Sequence, residues 1–438
     1  MNILVIGSGG REHALIWALK QRSAAPLKLY CAPGNAGIAQ LAECVDISAD
    51  NHSKLIDFVR ANAIDLTVVG PEVPLANGIV DEFQDRGLKI VGPSRAAARL
   101  ESSKAFAKDF MRRHAIQTAD YVIANSGEEA LRAVRSGSFG GEKSPIVVKA
   151  DGLAAGKGVI VARSRGEAER AVAELLSGGL VAKESASHIL IEEALEGREV
   201  SILLFTDGRD YALMPAARDH KRVGENDTGP NTGGMGAITD PTVVDAETLD
   251  QIGREIVEPT LAGAMKECFP FHGVLFIGLM LTADGPKVLE YNVRFGDPET
   301  QAILIRLESD LFEIFQSMVD GHLRDVEVRW KKGASACVVL ASGGYPGGYK
   351  KGARIVGLDR VLVGRNLQVF HAGTAWSATG ELITAGGRVL GITAWQPTLD
   401  EALALCYRAI GQIDWPDKQY RRDIGRFEQR QKAGSNVR

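Results

Sequence analysis

Hydrophobic and polar positions alternate regularly over the first hundred residues of the chain. Short apolar runs predict buried strands over residues 3–6, 27–30, 66–69 and 88–91. The segments between them have helical periodicity, which predicts helices over 12–21, 53–62 and 74–86. This alternation is typical of an α/β fold, here a doubly wound domain with a parallel sheet. Ligands bind such sheets at the carboxyl ends of the strands, so we expect the turns there to line a pocket.

The middle of the chain begins with a helix predicted over residues 94–113 and continues with two β-branched runs. The first run ends at Lys149, and the second begins directly after a glycine-rich turn. Glycines let backbone N–H groups turn toward one point, and lysines add mobile positive charge there. The turn and its edges contain Lys149, Gly152, Gly156, Lys157 and Gly158. A nucleotide phosphate chain is the ligand that this pattern favours.

Two other interpretations of this turn are a Walker A loop, which the spacing excludes, and an ordinary hairpin, which stays open. A Walker A loop needs four residues between its glycines and a helix after its lysine. Here three residues separate Gly152 from Gly156, and a strand follows the turn, which excludes that motif. A hairpin with two solvated lysines stays open, although such a hairpin needs fewer glycines.

The first turn, after residues 3–6, invites comparison with the dinucleotide-binding pattern Gly-x-Gly-x-x-Gly. That pattern requires glycine at position 12, where this chain has Glu12, so an NAD site is disfavoured. A single phosphate on the N–H groups before the helix, held by Gly9, Gly10 and Arg11, is one interpretation. A tight turn with a surface arginine is equally compatible with the residues.

Acidic and amide residues follow two later strands. Glu192 and Glu199 flank the end of a strand over 189–195, a spacing that suits the adenine amine and ribose diol or simply two surface glutamates. Glu290 and Asn292 alternate by two at the end of a predicted hairpin, so they project from one face. Carboxylate and amide oxygens are hard ligands suited to Mg²⁺.

Two further segments complete the outline of the chain. Residues 219–236 form a glycine-rich segment beside a cluster of cations, which predicts a long irregular loop that contacts substrate. From about residue 330 the strands over 336–340 and 389–394 and the helix over 399–413 predict a separate α+β domain. We therefore expect domains at 1–102, 103–330 and 331–438, with a small lid subdomain at about 119–191.

Composition narrows the functional class. The 438 residues are 45% hydrophobic and 24% charged, and the formal net charge is −4, which argues against a nucleic-acid or membrane partner. The five cysteines are scattered and favour free thiols in a cytoplasmic location. We expect no signal peptide, and no apolar run is long enough to span a bilayer.

The order of these motifs resembles that of the ATP-grasp superfamily, and within it the glycinamide ribonucleotide synthetase family. The resemblance covers nearly the whole chain. It is carried by Gly7-x-Gly-Gly-Arg-Glu-His13, Lys149-Ala-Asp-Gly-Leu-Ala-Ala-Gly-Lys-Gly158, Asp219-His-Lys-Arg222, Asn231-Thr-Gly-Gly-Met-Gly236, Asn292-Val-Arg-Phe-Gly-Asp-Pro-Glu299 and His371-Ala-Gly-Thr374.

This resemblance implies a three-domain enzyme with a central ATP-grasp α+β domain and a lid. The family joins glycine to 5-phosphoribosylamine with ATP, through glycyl phosphate, in de novo purine synthesis. The implied cofactor is Mg²⁺ or Mn²⁺, held by Glu290 and Asn292. The strand before Glu290, at Ile277-Gly278-Leu279, lacks the additional acidic ligand that the wider superfamily often has, which leaves the number of metal ions open.

The resemblance also implies roles for individual residues. Lys104 and Lys149 would hold the α- and β-phosphates, and Glu192, Leu195 and Glu199 would contact adenine and ribose. The nucleotide set is completed by Gly152, Gly156, Lys157 and Gly158. The implied catalytic residues are Arg294, Lys157 and Asp219, and the implied substrate residues are Gly9, Gly10, Arg11, Glu12, Asn35, Lys221, Asp297 and Glu299.

Three small molecules are the expected partners: glycine, 5-phosphoribosylamine and ATP. A monomer or a weak dimer is expected. Two other functions stay open, namely another ATP-grasp ligase or carboxylase and a nucleotide-binding regulator without catalysis. ADP release that depends on glycine would distinguish the three.

Overall fold

The computed structural model describes residues 1–24, 26–153, 158–177 and 188–426. Its amino-terminal part has a parallel sheet of five strands in the order β3-β2-β1-β4-β5, flanked by helices, which confirms the predicted doubly wound α/β fold. The elements are β1 (Asn2–Gly7), α1 (Gly10–Arg22), β2 (Lys28–Pro33), β3 (Glu43–Cys44), α2 (His52–Ala61), β4 (Leu66–Val69), α3 (Glu72–Ala76), α4 (Ile79–Gln84) and β5 (Ile90–Val91).

Two predicted helices are each divided in the structure. The helix expected over 74–86 is α3 and α4, separated at Gly78, whose φ of +90° does not fit a helix. The helix expected over 94–113 is α5 (Arg95–Ser102) and α6 (Lys104–Arg113). Ser103 lies between them in extended conformation, and its hydroxyl accepts a hydrogen bond from the backbone N–H of Phe106 at 3.1 Å. A serine that caps the second helix thus ends the first.

The lid subdomain is a four-stranded antiparallel sheet in the order β6-β9-β7-β8 with two helices packed on it. The hairpin predicted around the glycine-rich turn is confirmed, because β7 pairs with β8 from Ile146↔Ala162 to Lys149↔Val159. Small apolar side chains form its core. The elements are β6 (Tyr121–Ala124), α7 (Gly127–Arg135), β7 (Ile146–Ala150), β8 (Val159–Ala162), α8 (Arg165–Ser177) and β9 (Ile189–Glu193).

A large antiparallel sheet forms the rest of the described chain. Its strand order is β17-β16-β10-β12-β15-β18-β22-β19, with β11 paired to β10. The first part of this sheet and its helices comprise β10 (Arg198–Asp207), β11 (Tyr211–Leu213), β12 (Ala217–Asp219), β13 (Arg222–Gly224), β14 (Thr228–Asn231), β15 (Gly236–Thr239), α9 (Ala246–Ile252), α10 (Glu258–Lys266), β16 (His272–Thr282), β17 (Gly285–Asn292), α11 (Glu299–Leu304) and α12 (Leu311–Asp320).

The carboxy-terminal strands continue this sheet. Strand β15 pairs with β18, and β22 joins β18 to β19, so the segment predicted as a separate α+β domain shares a sheet with the strand that carries Glu290. The domain limits given above stay a prediction. The elements are β18 (Ala334–Ala341), β19 (Leu367–His371), β20 (Thr374–Trp376), β21 (Leu382–Thr384), β22 (Arg388–Gln396) and α13 (Leu399–Ile410).

Residues 219–236, expected to be an irregular loop, contain a short antiparallel hairpin instead. Strands β13 and β14 pair from Arg222↔Asn231 to Gly224↔Thr228. Asn226 and Asp227 turn the chain with positive φ values of 56° and 54°. Asn and Asp tolerate that conformation, which is why the hairpin closes without glycine there. We call residues 222–231 the substrate hairpin.

The amino-terminal domain packs so that its first turn reaches the large sheet. Helix α1 contacts both α11 and β19. This places Gly9 and Gly10 next to the residues that follow β17. No helix in the described part of the chain combines the length and apolar character that a membrane span requires.

Candidate active site

Strand β17 presents the predicted metal pair in a part-exposed position. The Glu290 side chain lies over Gly278 of β16, where an added Cβ would be 3.2 Å from the Glu290 Cγ. Burial alone would raise the pKa of Glu290, but Lys221, Lys149 and Lys104 hold it below its usual value. The carboxylate is therefore ionised and available as a ligand.

The residues present fit a divalent cation only in part. In the described ranges no group of three or more His, Cys, Asp or Glu side chains is arranged to hold a metal. Glu290 and Asn292 supply two oxygens of the hard type, and the Asn292 Oδ1 also accepts from Arg294 at 3.1 Å. Mg²⁺ typically takes one or two protein oxygens and completes its shell with phosphates and water. The pair fits a nucleotide-bound Mg²⁺.

Lys221 joins three of the predicted residues. Its ammonium is bonded to the Glu199 carboxylate and lies 3.8 Å from Glu290. Burial in the cleft opposes its charge, yet Glu199, Asp219 and Glu290 together raise the pKa of Lys221 well above its usual value. The structure therefore brings the predicted ribose ligand, metal ligand and substrate lysine into contact.

Asp219 and Glu299 add further carboxyl groups to this cleft. Burial raises the pKa of Asp219 to about 8, against the effect of Lys221 and with that of Glu299. Burial likewise raises the pKa of Glu299, which begins α11. The cleft has more carboxyl groups than Lys221 can neutralise. This excess of carboxyl groups suits the binding of a metal ion or an ammonium group, or the transfer of a proton.

Arg294 is fixed by carboxylates from two other elements. Its guanidinium contacts Glu72 at 3.2 Å and Glu101 at 2.9 Å. Burial opposes its charge, but Glu101 and Glu72 raise the pKa of Arg294. Sequence reasoning assigned no role to either glutamate, although Glu72 follows β4 in a turn predicted to line a pocket. The catalytic role of Arg294 stays a prediction.

A buried ion triad joins the lid to the body. Glu192 of β9 accepts from Lys149 at 2.9 Å and from Lys108 of α6 at 3.0 Å, and all three side chains are buried. Lys149 also donates to the Leu289 carbonyl at 3.2 Å. Sequence reasoning missed Lys108, which lies one helical turn after Lys104 and therefore on the same face.

Glu192 retains one free acceptor. Its Oε1 atom is buried and has no hydrogen-bond partner among the described residues. A buried acceptor without a donor is costly, so this oxygen fits an incoming N–H group such as an adenine amine. Leu195, predicted to contact the ring, lies in the link between β9 and β10.

The glycine-rich turn is anchored where it leaves β7. Lys104 donates to the Gly152 carbonyl at 2.8 Å. Asp151 accepts from the Ser103 hydroxyl and from the Ala105 backbone N–H, both at 3.2 Å. At the other edge, the Ala150 N–H donates to the carbonyl of Gly158 at 2.9 Å. Two predicted residues of this turn, Gly156 and Lys157, lie outside the described residues.

The first turn is already occupied by its own side chains. The Gly9 N–H donates to Glu12 at 2.6 Å, and Arg11 donates to Glu12 at 2.6 Å and to the Phe295 carbonyl at 3.0 Å. Gly70 makes room for Glu12, since a Cβ there would lie 2.0 Å from its carboxylate. A phosphate on Gly9 would have to displace this carboxylate. The arginine is buried, so the interpretation as a surface arginine is wrong.

Asn35 and Asp297 lie close to this turn. Asn35 donates to the Ser8 and His371 carbonyls and accepts from two backbone N–H groups, which uses the full capacity of its amide. It therefore holds the turn in place. Asp297 accepts from Gln301 at 2.8 Å and faces Arg388 at 3.4 Å.

Gln301 and Arg388 were missed by sequence reasoning: Gln301 lies four positions after Asp297 on the same segment, whereas only the packing of β22 on α11 brings Arg388 here. Arg388 also donates to the Asp297 carbonyl at 2.6 Å and to that of Gly233. An added Cβ on Gly10 would lie 2.6 Å from the Gln301 amide nitrogen. The predicted substrate residues Gly10 and Asp297 thus meet at one point between three parts of the chain.

Comparison with known proteins decides the family. Models of the phosphoribosylglycinamide synthetase N domain, ATP-grasp (A) domain and C domain match residues 1–101, 102–300 and 335–427. The chain belongs to the phosphoribosylglycinamide synthetase family. The resemblance found in the sequence and the three-part ATP-grasp architecture are thereby confirmed.

Individual relatives match this chain over nearly their full length. Phosphoribosylamine–glycine ligase of Brucella melitensis biotype 1 is 48% identical over 99% of this chain and 100% of its own. The same enzyme from Pasteurella multocida is 49% identical over 97% of each. The crystal structure of phosphoribosylamine–glycine ligase from Thermotoga maritima matches with a TM-score of 0.82 at 34% identity, over 97% of this chain and 100% of that one.

Proposed function

We propose that this protein catalyses the reaction of its family: ATP-dependent ligation of glycine to 5-phosphoribosylamine, giving glycinamide ribonucleotide, ADP and phosphate. The reaction is a step of de novo purine biosynthesis. The observation that carries the proposal is the meeting of Glu199, Lys221 and Glu290 on the body, opposite Lys104 and Lys149 at the lid. Full-length similarity to ligases of that name supports it.

ATP would lie between the lid and the large sheet. The free Oε1 of Glu192 would accept from the adenine amine, and Glu199 would bind the ribose hydroxyls. Lys104 and Lys149 would exchange carbonyl contacts for the α- and β-phosphates. This exchange is electrostatically favourable, because each lysine leaves a neutral acceptor for an anion.

Glu290 and Asn292 would hold Mg²⁺ or Mn²⁺ on the phosphates. Such an ion, when bound, offsets the charge of the triphosphate during phosphoryl transfer. The protein supplies few ligands of its own, so the number of metal ions depends on the nucleotide.

The first chemical step joins glycine to phosphate. A carboxylate oxygen of glycine attacks the γ-phosphorus, and the bond from that phosphorus to the bridging oxygen breaks, which gives glycyl phosphate and ADP. Lys221 lies beside the metal ligand and would offset the charge between the two anions as they approach. Closure of the lid would keep water from the acyl phosphate.

The second step forms the amide bond. The ribosylamine nitrogen attacks the glycyl carbonyl carbon, phosphate leaves with the electron pair of the carbon–oxygen bond, and the nitrogen loses one proton. Asp219 would accept that proton in its ionised form, which the neighbouring Lys221 ammonium favours against the effect of burial. Asp297, Glu299, Gly10 and Glu12 would surround the ribosylamine, where ring hydroxyls suit carboxylates.

The substrate phosphate would lie toward the side of the first turn where Arg11 and the α1 dipole add positive potential. A phosphate at Gly9 would require Glu12 to release the Gly9 N–H. A phosphate that leaves this bond intact would bind beside the turn instead. The monomeric state and the cytoplasmic location stay predictions, and the free thiols favour the latter.

The test is release of ADP with ribose 5-phosphate and ammonia, which form the ribosylamine in solution. We expect release that requires glycine and the amine together, with formation of glycinamide ribonucleotide. Alanine and bicarbonate serve as matched acids. Release with another acid would indicate a different ATP-grasp ligase, and binding of ATP without release with any acid would indicate a regulator.

A further inference from the structure

The carboxy-terminal segment 421–425 packs against the substrate hairpin, which is about two hundred positions earlier in the chain. Arg421 donates from Nη1 to the Arg222 carbonyl at 3.1 Å and to Asp227 Oδ1 at 2.7 Å. Its Nε and Nη2 atoms donate to both oxygens of Asp423 at 2.8 Å. The guanidinium is therefore shared between the hairpin and its own segment.

The same segment has three more bonds to the hairpin region. Asp423 accepts from the Asn226 N–H at 2.7 Å, and the Gly425 N–H donates to the His220 ring at 3.0 Å. The backbone N–H of Arg422 donates to the Glu225 carboxylate at 3.3 Å. The contacts therefore fall on the residue before Lys221, on the residue after it and on the turn of the hairpin. Both neighbours of Lys221 in the chain, His220 and Arg222, are therefore bonded to the carboxy-terminal segment.

Burial makes Arg421 the centre of this arrangement. Its side chain is 2% exposed, while Asp227 and Asp423 remain 46% and 14% exposed. A buried guanidinium with four of its five N–H donors engaged is geometrically rigid, because its planar fork fits only one arrangement of acceptors. Neither the sequence motifs nor the proposed chemistry assigns Arg421 a role.

We propose that Arg421 is a positioning residue: by holding the substrate hairpin, it keeps the Lys221 ammonium between Glu199 and Glu290. The proposal rests on the proposed function, because Lys221 is assigned its role there. Lys221 itself is held on the opposite side, where its carbonyl accepts from Thr232 N at 2.7 Å and Thr232 Oγ1 at 2.8 Å. Loss of the Arg421 side chain would remove the bonds to the Arg222 carbonyl and to Asp227, which are the contacts of that guanidinium with the hairpin.

The experiment is a double-mutant cycle on glycine-dependent ADP release. Arg421→Gln should lower kcat at least tenfold, with the KM for ATP within threefold of wild type. In a Lys221→Met background the same change should lower kcat by less than twofold, because the residue through which it acts is already absent. Arg422→Gln, at the exposed neighbouring arginine, is the matched control and should leave kcat unchanged.

Two variants guard against misfolding. Arg421→Lys keeps the charge and loses the fork, and Asp227→Asn weakens only the end of the contact on the hairpin. Both should show the same non-additivity with Lys221→Met, with smaller single effects. Losses that multiply in the Lys221→Met background, or an equal loss in Arg422→Gln, would overturn the positioning role. Wild-type protein that releases no ADP with glycine would instead overturn the proposed function.

Discussion

The floor of the cleft and the lid are built in different ways. The floor consists of long strands, β10, β16 and β17, whose inner faces belong to the extensive apolar core shared with the amino-terminal domain. The lid has its own small core, mostly alanine and valine with a few isoleucine and leucine side chains. Glu290, whose position must be accurate for chemistry, therefore lies on the rigid part, and Lys221 reaches it from the link between β12 and β13.

Polar bonds join the lid to β17 of the floor and to α6 beside it. Lys149 reaches the Leu289 carbonyl, Lys104 reaches Gly152, and Glu192 meets Lys108. Such bonds can be exchanged for phosphate without separating apolar surfaces, which would cost more. The comparison teaches that ATP binding and chemistry should respond to different mutations. Mutations in the lid should mainly weaken ATP binding, and mutations in the floor should mainly slow the chemical steps.

The largest effect should follow Glu290→Gln on the floor. We expect turnover to fall at least a thousandfold, because a neutral amide binds Mg²⁺ far more weakly than a carboxylate and leaves Lys221 with one partner fewer. Thermal melting should stay near wild type, and Glu258→Gln on the surface of α10 is the control. Activity near wild type at the usual assay concentration of Mg²⁺ would contradict the assignment of Glu290 as a metal ligand.

Lys149→Met tests the lid side of the comparison. The KM for ATP should rise a hundredfold or more, because one charged hydrogen bond to phosphate is worth about 1.5–3 kcal/mol and the bond to Glu192 is lost as well. Lys143→Met, at an exposed lysine of the lid, should change nothing. If kcat falls while the KM for ATP holds, the proposed division between lid and floor is wrong.

Arg11→Ala concerns the first turn, outside both regions. The KM for the ribosylamine should rise tenfold to a hundredfold with the KM for ATP little changed, since Arg11 supports Glu12 and the positive potential there. Arg60→Ala on the exposed face of α2 is the control. A rise in the ATP constant alone would assign the first turn to the nucleotide.

The last prediction concerns stability in acid, which depends on buried histidines outside the lid. Burial lowers the pKa of His13 to about 3 and of His220 and His371 to about 4. Unfolded histidine titrates near 6.5, so below that pH the unfolded chain binds protons that the folded body refuses. The free energy of unfolding should therefore be highest above pH 6.5. As the pH falls toward the pKa values of the folded state, it should decrease by about 1 kcal/mol per pH unit for each histidine.

Denaturation by urea at pH 7.5, 6 and 5 measures this slope. His13→Gln should reduce it. A slope that does not change in His13→Gln would show that this histidine is not the source.

Local sequence determined the elements and the chemistry that follows from them. Apolar runs placed the parallel strands of the first domain, and the glycine-rich turn between β-branched runs gave the hairpin of β7 and β8. The alternation of Glu290 and Asn292 on one strand needed no knowledge of the fold, because the period of a strand is two. The family resemblance followed from the order of these motifs.

Tertiary structure decided what each of these residues contacts. Arg388 meets Asp297 only because β22 and α11 pack together, and Arg421 reaches the substrate hairpin across about two hundred positions. The break at Ser103 depends on a cap and on the Asp151 carboxylate of the lid. Burial also set the protonation of Asp219, since a pKa depends on the charges and solvent that the whole fold places around a group.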